Sequence, residues 1–365
     1  MTHRMLNEPV VDDSAWTGTT LRAARSWEYH LNAQHLEDLD RAADAIRAQG
    51  LELVNITRDT FPLGSLATLV EVIRNDLTGG RGFSLLRGFP VEHYDIAELE
   101  KLYWGLCTHV GTGITQNGQA GLIHYVTDGK RQPRQGTRGV GMPKESKLHV
   151  DLTDCVSLLC VQQAPDQPPS RVASSAALHN ALLRQRPGDL PRLYEGFQWD
   201  RMGEHAQCEL PTTGYSVPFF SYAEGQLSCR YNRAWITRAA DRLECPFSDA
   251  ENDLLDHVDH LNREQCLEFP FEAGDIQFCN NYLAFHGRAA HEVIPDERNK
   301  RLLLRIWVDF DAPRAFSDEA IMRYGVVRHG ALGWTVNDVV DGLHRGIHAR
   351  NADGRPRVDK SLPST

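Results

Sequence analysis

A curled antiparallel β-sandwich with helical insertions is the fold class this sequence predicts, on three observations. The second half of the chain carries short, apolar, strand-like runs joined in part as hairpins. Helical periodicities come in blocks, without the strict strand–helix alternation of a doubly wound sheet or a (β/α)8 barrel. Finally, 365 residues with 41% hydrophobic and 24% charged side chains make an ordinary globular composition, with no repeats and no linker to divide it. The chain therefore reads as a single domain over 1–365.

The first 80 residues form an N-terminal helical region. Leu36, Leu39, Ala42, Ala43 and Ile46 recur at helical spacing, and Gly50 ends that helix. Leu66, Leu69, Val70, Ile73 and Leu77 define a second helix that stops at Gly79-Gly80. A core over 81–310 opens with a short apolar strand between Gly82 and Gly88, followed by a helix over Ile96 to Thr108. From Thr112 to Lys147 the composition turns to Gly, Gln, Thr, Arg and Pro with no lasting period. Long irregular segments in compact domains are usually functional, and 112–147 is read as a lid. Strands follow at Val156–Gln163, Arg171–Ser175, Val217–Tyr222, Gln226–Tyr231, Asp275–Asn281 and Leu302–Phe310, with helices at Ala176–Arg186 and Asp249–Cys266. Residues 311–365 are a C-terminal extension.

Charge and composition exclude several functions. A net charge of −10 disfavours nucleic-acid binding, which needs a cationic surface to displace counterions. No apolar run approaches the ~18 residues of a membrane span, and the N-terminus lacks a signal-peptide core. The eight cysteines show no metal-finger or C-x-x-C spacing, so they read as thiols of a reducing, cytoplasmic compartment. The expected partner is a small-molecule substrate, with self-association left open.

One local pattern carries chemistry. In His149-Val150-Asp151, an extended backbone points residues i and i+2 to the same face, so an imidazole and a carboxylate can share one metal ion. The same pattern at His257-Val258-Asp259 falls in a helix, where i and i+2 diverge, and is assigned to a solvated face. His124 and His179 read as structural. A third ligand suggests itself in His286-Gly287-Arg288, at a turn after the Asp275 strand. Two histidines and a carboxylate form the facial triad of non-heme Fe(II) oxygenases. Downstream, Arg301 and Arg305 interrupt an apolar strand; buried cations there need anions, and a guanidinium matches a carboxylate bidentately.

The set His149-x-Asp151, His286-Gly-Arg288 and Arg301-x-x-x-Arg305 resembles the taurine dioxygenase/TfdA family of Fe(II)- and 2-oxoglutarate-dependent dioxygenases. Gly82-Phe-Ser-Leu-Leu-Arg-Gly-Phe-Pro-Val91 and Pro270-Phe-Glu-Ala-Gly-Asp-Ile-Gln-Phe278 resemble two of its core strands, so the likeness spans roughly 80–310. It implies a mainly β fold, with a double-stranded β-helix (jelly-roll) core wrapped by helices. The cofactors it implies are Fe(II), the cosubstrate 2-oxoglutarate and O2. It also implies a metal triad of His149, Asp151 and His286, with Arg301 on the distal carboxylate of 2-oxoglutarate and Ser170 beside that carboxylate. Arg305 matches an arginine that meets either substrate or cosubstrate, and Gln116 and Asn117 fall where the family lines its substrate pocket. Arg288 and Arg305 favour an anionic substrate. The reaction implied is oxidation, chiefly hydroxylation, of an unactivated C–H in a small anionic or amino-acid-like molecule, with release of succinate and CO2. Asp151 argues against halogenation, for which relatives give up this carboxylate. The alternatives are a cupin-like metal or small-molecule binding protein and a non-oxygenase metalloenzyme; neither needs a buried Arg301.

Overall fold

A computed structural model describes residues 5–117, 121–129, 141–203, 210–312 and 314. Its helices are α1 (Gly18–Ala24), α2 (Ala33–Gln49), α3 (Leu66–Thr78), α4 (Ile96–Thr108), α5 (Ser175–Gln185), α6 (Leu190–Glu195), α7 (Arg233–Arg242) and α8 (Asp249–Gln265). Its strands in the first half are β1 (Glu28–His30), β2 (Phe83–Arg87), β3 (Thr112–Ile114), β4 (Ile123–Val126) and β5 (Ser146–His149). The second half adds β6 (Cys155–Gln162), β7 (Ser170–Ser174), β8 (Phe220–Ala223), β9 (Gln226–Cys229), β10 (Leu267–Phe269), β11 (Ile276–Asn280), β12 (Ala284–Arg288) and β13 (Leu302–Asp309).

Among the described residues the larger sheet runs β1-β2-β11-β6-β13-β3, with β4 also pairing β13; the smaller runs β10-β7-β12-β5. All these pairs are antiparallel except β1 with β2. β13 explains the layering by simple alternation. Leu304, Ile306 and Val308 face a core shared with α2, α3 and α4. Leu303 and Trp307 face the other way, into a core that also holds Val172, Ala284 and Phe285 of the smaller sheet. The larger sheet is thus covered by helices on one side and by the smaller sheet on the other.

The N-terminal helices form where expected, for identifiable reasons. Asn32 caps α2 through a hydrogen bond from the His35 N–H, and Gly50 ends it at φ 59°. α4 buries Leu99, Leu102, Tyr103, Trp104 and Leu106 against the sheet.

Three readings need correction. The segment 112–147 is not irregular throughout, because β3 and β4 lie in it and pair with β13. Strands of three and four residues are too short to show a period. Residues 118–120 and 130–140 lie outside the described residues, as does most of 311–365. His286 sits inside strand β12, with a register shift between His286 and Arg288, instead of at a turn. Asp259 is not simply solvated: its carboxylate accepts the Tyr231 hydroxyl and an Lys147 ammonium at 3.1 Å.

No helix among the described residues is long and apolar enough to cross a membrane. The free cysteines among them are mostly buried, and burial above all, with nearby carboxylates, pushes the Cys160 and Cys279 thiols up to about 12.

Candidate metal centre

Two neighbouring strands of the smaller sheet bring the histidines together. His149 ends β5 and pairs directly with His286 of β12. Just past β5, Asp151 is fixed by its backbone N–H, which donates to Asn281 Oδ1 at 2.9 Å. His149 Nε2 lies 3.9 Å from Asp151 Oδ1, and His286 Nε2 lies 3.8 Å from Asp151 Oδ2. One ligand atom from each residue falls within 4.8 Å of the others. These separations are too long for hydrogen bonds and suit an ion held between the three groups.

The protonation state fits as well. His149 Nδ1 is 2.7 Å from the Lys147 carbonyl, so it carries the proton and leaves the Nε2 lone pair for a metal. Burial first, and then the neighbouring His149 and the Arg305 charge, push the His286 imidazole down to about 3 against the pull of Asp151. It is therefore neutral near pH 7, as a ligand must be.

Asp151 is oriented from one side. Arg305 Nη1 at 3.0 Å and Trp307 Nε1 at 2.9 Å both donate to Oδ2. Two donors on one oxygen fix the orientation of the Asp151 carboxylate. Arg305 is itself clamped by Gln116, whose Oε1 accepts Arg305 Nε at 2.8 Å and whose Nε2 donates to the Arg305 carbonyl at 2.6 Å. Asp309 accepts the Thr153 hydroxyl at 3.4 Å.

A cleft of about 690 Å³ opens beside the histidines, with Ser170, Arg288, Arg301 and Arg305 in its wall. Arg301 is only 3% exposed, and its Nε donates to Gln163 Oε1 at 2.8 Å. Burial and the neighbouring Arg288 charge lower its guanidinium to about 10, so it stays cationic at pH 7. Arg288 spends its donors on the carbonyls of Met142 and Ala289. Ser170 begins β7, not a turn, and its hydroxyl donates to Gln277 Oε1 at 2.6 Å. Two cations close enough to repel, beside Leu158, Leu303 and Phe271, make a pocket suited to a short dicarboxylate.

Asn117 is buried and accepts the Gly121 N–H at 3.3 Å. Neither Gln116 nor Asn117 is in the wall of this cleft. His124 is buried on β4 opposite Arg305, and His179 lies among Tyr194 and Phe220, so both fit structural roles. Sequence reasoning missed α7, whose Arg233, Trp235 and Arg238 form the opposite wall. The Asn232 cap, bonded to the Trp235 N–H at 3.3 Å, was the signal that could have revealed it.

The donor set and the arginine pocket are those of a non-heme iron oxygenase that uses a 2-oxo acid, and comparison with known proteins agrees. Residues 50–307 match the model of the taurine catabolism dioxygenase TauD, TfdA family. FR-33289 synthase of Streptomyces rubellomurinus (strain ATCC 31215) is 30% identical over 319 residues, 86% of this chain and 94% of that protein. Asparagine oxygenase in complex with Fe(II), 2S,3S-3-hydroxyasparagine and succinate superposes with a TM-score of 0.60 at 14% identity, covering 77% of this chain and 93% of that one. The non-heme iron oxygenase OrfP in complex with Fe and alpha-ketoglutaric acid gives 0.53 at 15% identity, with the same coverage. The chain belongs to the TauD/TfdA family. It is an Fe(II)- and 2-oxoglutarate-dependent dioxygenase that acts on a small molecule.

Proposed function

We propose that His149, Asp151 and His286 hold Fe(II), that Arg301 with Ser170 receives the distal carboxylate of 2-oxoglutarate, and that the substrate is a small anionic or amino-acid-like molecule hydroxylated at an unactivated C–H. The observation that carries this reading is the convergence of three ligand atoms within 4.8 Å beside a buried Arg301. The two facing sheets support a double-stranded β-helix core over 81–310, in a single domain spanning 1–365.

When bound, the iron and its cosubstrate supply the oxidising power: O2 and 2-oxoglutarate are consumed, the substrate gains a hydroxyl, and succinate and CO2 leave. The chain's own residues do the rest. Trp307 and Arg305 hold the Asp151 carboxylate in the orientation in which it would ligate the iron. Arg301 fixes the cosubstrate end to end, which orients it without chemistry. Leu158, Leu303 and Phe271 keep water from the cosubstrate. Gln116 holds Arg305 rigid, so that its guanidinium can serve Asp151 and an incoming substrate anion without reorganising. Residues 141–147 form one wall of the cleft, where a lid would act.

The test is optical and anaerobic. Fe(II) and 2-oxoglutarate added to the protein should give a visible metal-to-ligand charge-transfer band, lost in His149→Ala and shifted to higher 2-oxoglutarate concentration in Arg301→Ala. A wild type without the band, or variants indistinguishable from it, would refute the assignment. Succinate release across acidic and neutral small molecules tests the substrate class, and equal turnover of both sets would remove the anionic part of the reading.

A further inference from the structure

Arg301 stands in the wall of the cleft, and among the described residues its guanidinium has one hydrogen-bond partner, Gln163. Gln163 Oε1 accepts Arg301 Nε at 2.8 Å and the Ala164 N–H at 3.0 Å. Its Nε2 donates to the Phe271 carbonyl. A reversed amide would set donor against donor and carbonyl against carbonyl, so these contacts admit one orientation. With Nε taken, the guanidinium offers its end-on Nη1/Nη2 edge to a bidentate carboxylate. Arg288 repels the same head from beside it, so an unheld guanidinium would be displaced.

A local irregularity of the sheet brings this about. β6 pairs Gln162 with Leu302 but Cys160 with Leu303, so Val161 is an extra residue in β6, and a bulge of this kind re-aims the side chains around it. In a regular strand consecutive side chains point to opposite faces. Here both glutamines serve one arginine. Gln162 Nε2 donates to the Arg298 and Lys300 carbonyls, each at 2.8 Å, and so holds the backbone that leads into Arg301. Gln163 holds the head. Gln163 is not itself in the cleft wall, whereas Phe271 and Arg301 both are. It therefore ties the cationic end of the pocket to an apolar wall from behind.

We propose that Gln163 is a positioning residue that fixes how far the Arg301 guanidinium stands from His149, Asp151 and His286, and thereby sets the length of 2-oxo dicarboxylate the pocket accepts. This deepens the reading of Arg301 as the cosubstrate anchor and rests on it. A pocket measures length only if both of its ends are fixed. Arg305 and Trp307 brace the carboxylate at one end, and Gln163 braces the cation at the other.

The experiment uses the full chain with Fe(II) under argon. The charge-transfer band is titrated with 2-oxoglutarate and with 2-oxoadipate, which is one methylene longer. Wild type should prefer 2-oxoglutarate by about tenfold or more, the usual worth of one methylene in a fitted pocket. Gln163→Met keeps the side-chain length and removes the hydrogen bonds. It should bind 2-oxoglutarate about tenfold more weakly and 2-oxoadipate with less change, so that the preference narrows at least threefold. Gln163→Glu sets a carboxylate against Arg301 and should weaken 2-oxoglutarate more than Gln163→Met does. Co(II) affinity without any 2-oxo acid should stay within twofold of wild type in both variants. A preference unchanged in Gln163→Met, 2-oxoadipate too weak to titrate included, would overturn the proposal. So would Co(II) affinity that falls in step with 2-oxoglutarate affinity, which would make Gln163 a general support of the fold. Arg301→Ala separates the two levels: if it binds 2-oxoglutarate as wild type does, the anchor reading falls and this proposal with it. If the band is missing in wild type, it is the iron reading that falls.

Discussion

Trp307→Phe removes one N–H and keeps an aromatic ring on the same strand. The lost bond is the 2.9 Å donation to Asp151 Oδ2, a buried hydrogen bond to a carboxylate. Such bonds contribute about 1.5–3 kcal/mol. Arg305 still donates to the same oxygen at 3.0 Å, so the lower figure applies, and about 1.5 kcal/mol is roughly a tenfold change in an equilibrium constant. The loss should appear in metal affinity, because Asp151 loses one of the two donors that orient its carboxylate. Titrating the metal-free protein with Co(II) and following its visible absorption gives the dissociation constant directly. A tenfold weaker constant, with circular dichroism unchanged, is the expected result. A constant within twofold of wild type would refute the claim that Trp307 orients the carboxylate.

Two further outcomes follow from the packing around His179 and Gly287. Burial lowers the His179 imidazole to about 4, while the unfolded chain protonates near 6.5. His179 therefore stays neutral in the fold, its contribution is intact above about pH 6.5, and stability is lost as pH falls from there toward 4. At pH 5 the loss is about 2 kcal/mol, so urea unfolding at pH 7.5 and 5.0 should show a steeper drop for wild type than for His179→Gln. Gly287→Ala would place a Cβ 2.6 Å from the Ser146 carbonyl and 3.1 Å from the Lys147 backbone, forcing β5 away from β12. About 1–3 kcal/mol of stability should go, together with at least tenfold in Co(II) affinity; unchanged affinity would mean that this strand spacing does not set the separation of His149 and His286.

The clustering of His149, Asp151 and His286 was legible because an extended His-x-Asp declares its geometry locally, and the burial of Arg301 because a cation inside an apolar strand needs a reason. The strand–helix order of the core was legible for the same local causes. What stayed hidden depends on distant packing. β3 and β4 exist because β13 offers them an edge, not because Thr112–Ile114 or Ile123–Val126 prefer strand on their own. Arg305 was legible as a cation in an apolar strand, but its partners Asp151 and Gln116, which come from two other segments, were not.

The pairing of His149 with His286 also sets an order in time. A ribosome delivers β5 long before β12, and Arg305 and Trp307 later still. No nascent chain ending before His286 can possess the site, and none ending before Trp307 can brace its carboxylate. Loading of the iron site proposed above would therefore follow nearly complete synthesis of the core and its slow, non-local strand pairing. Metal uptake by newly made protein should then report when the sandwich closes.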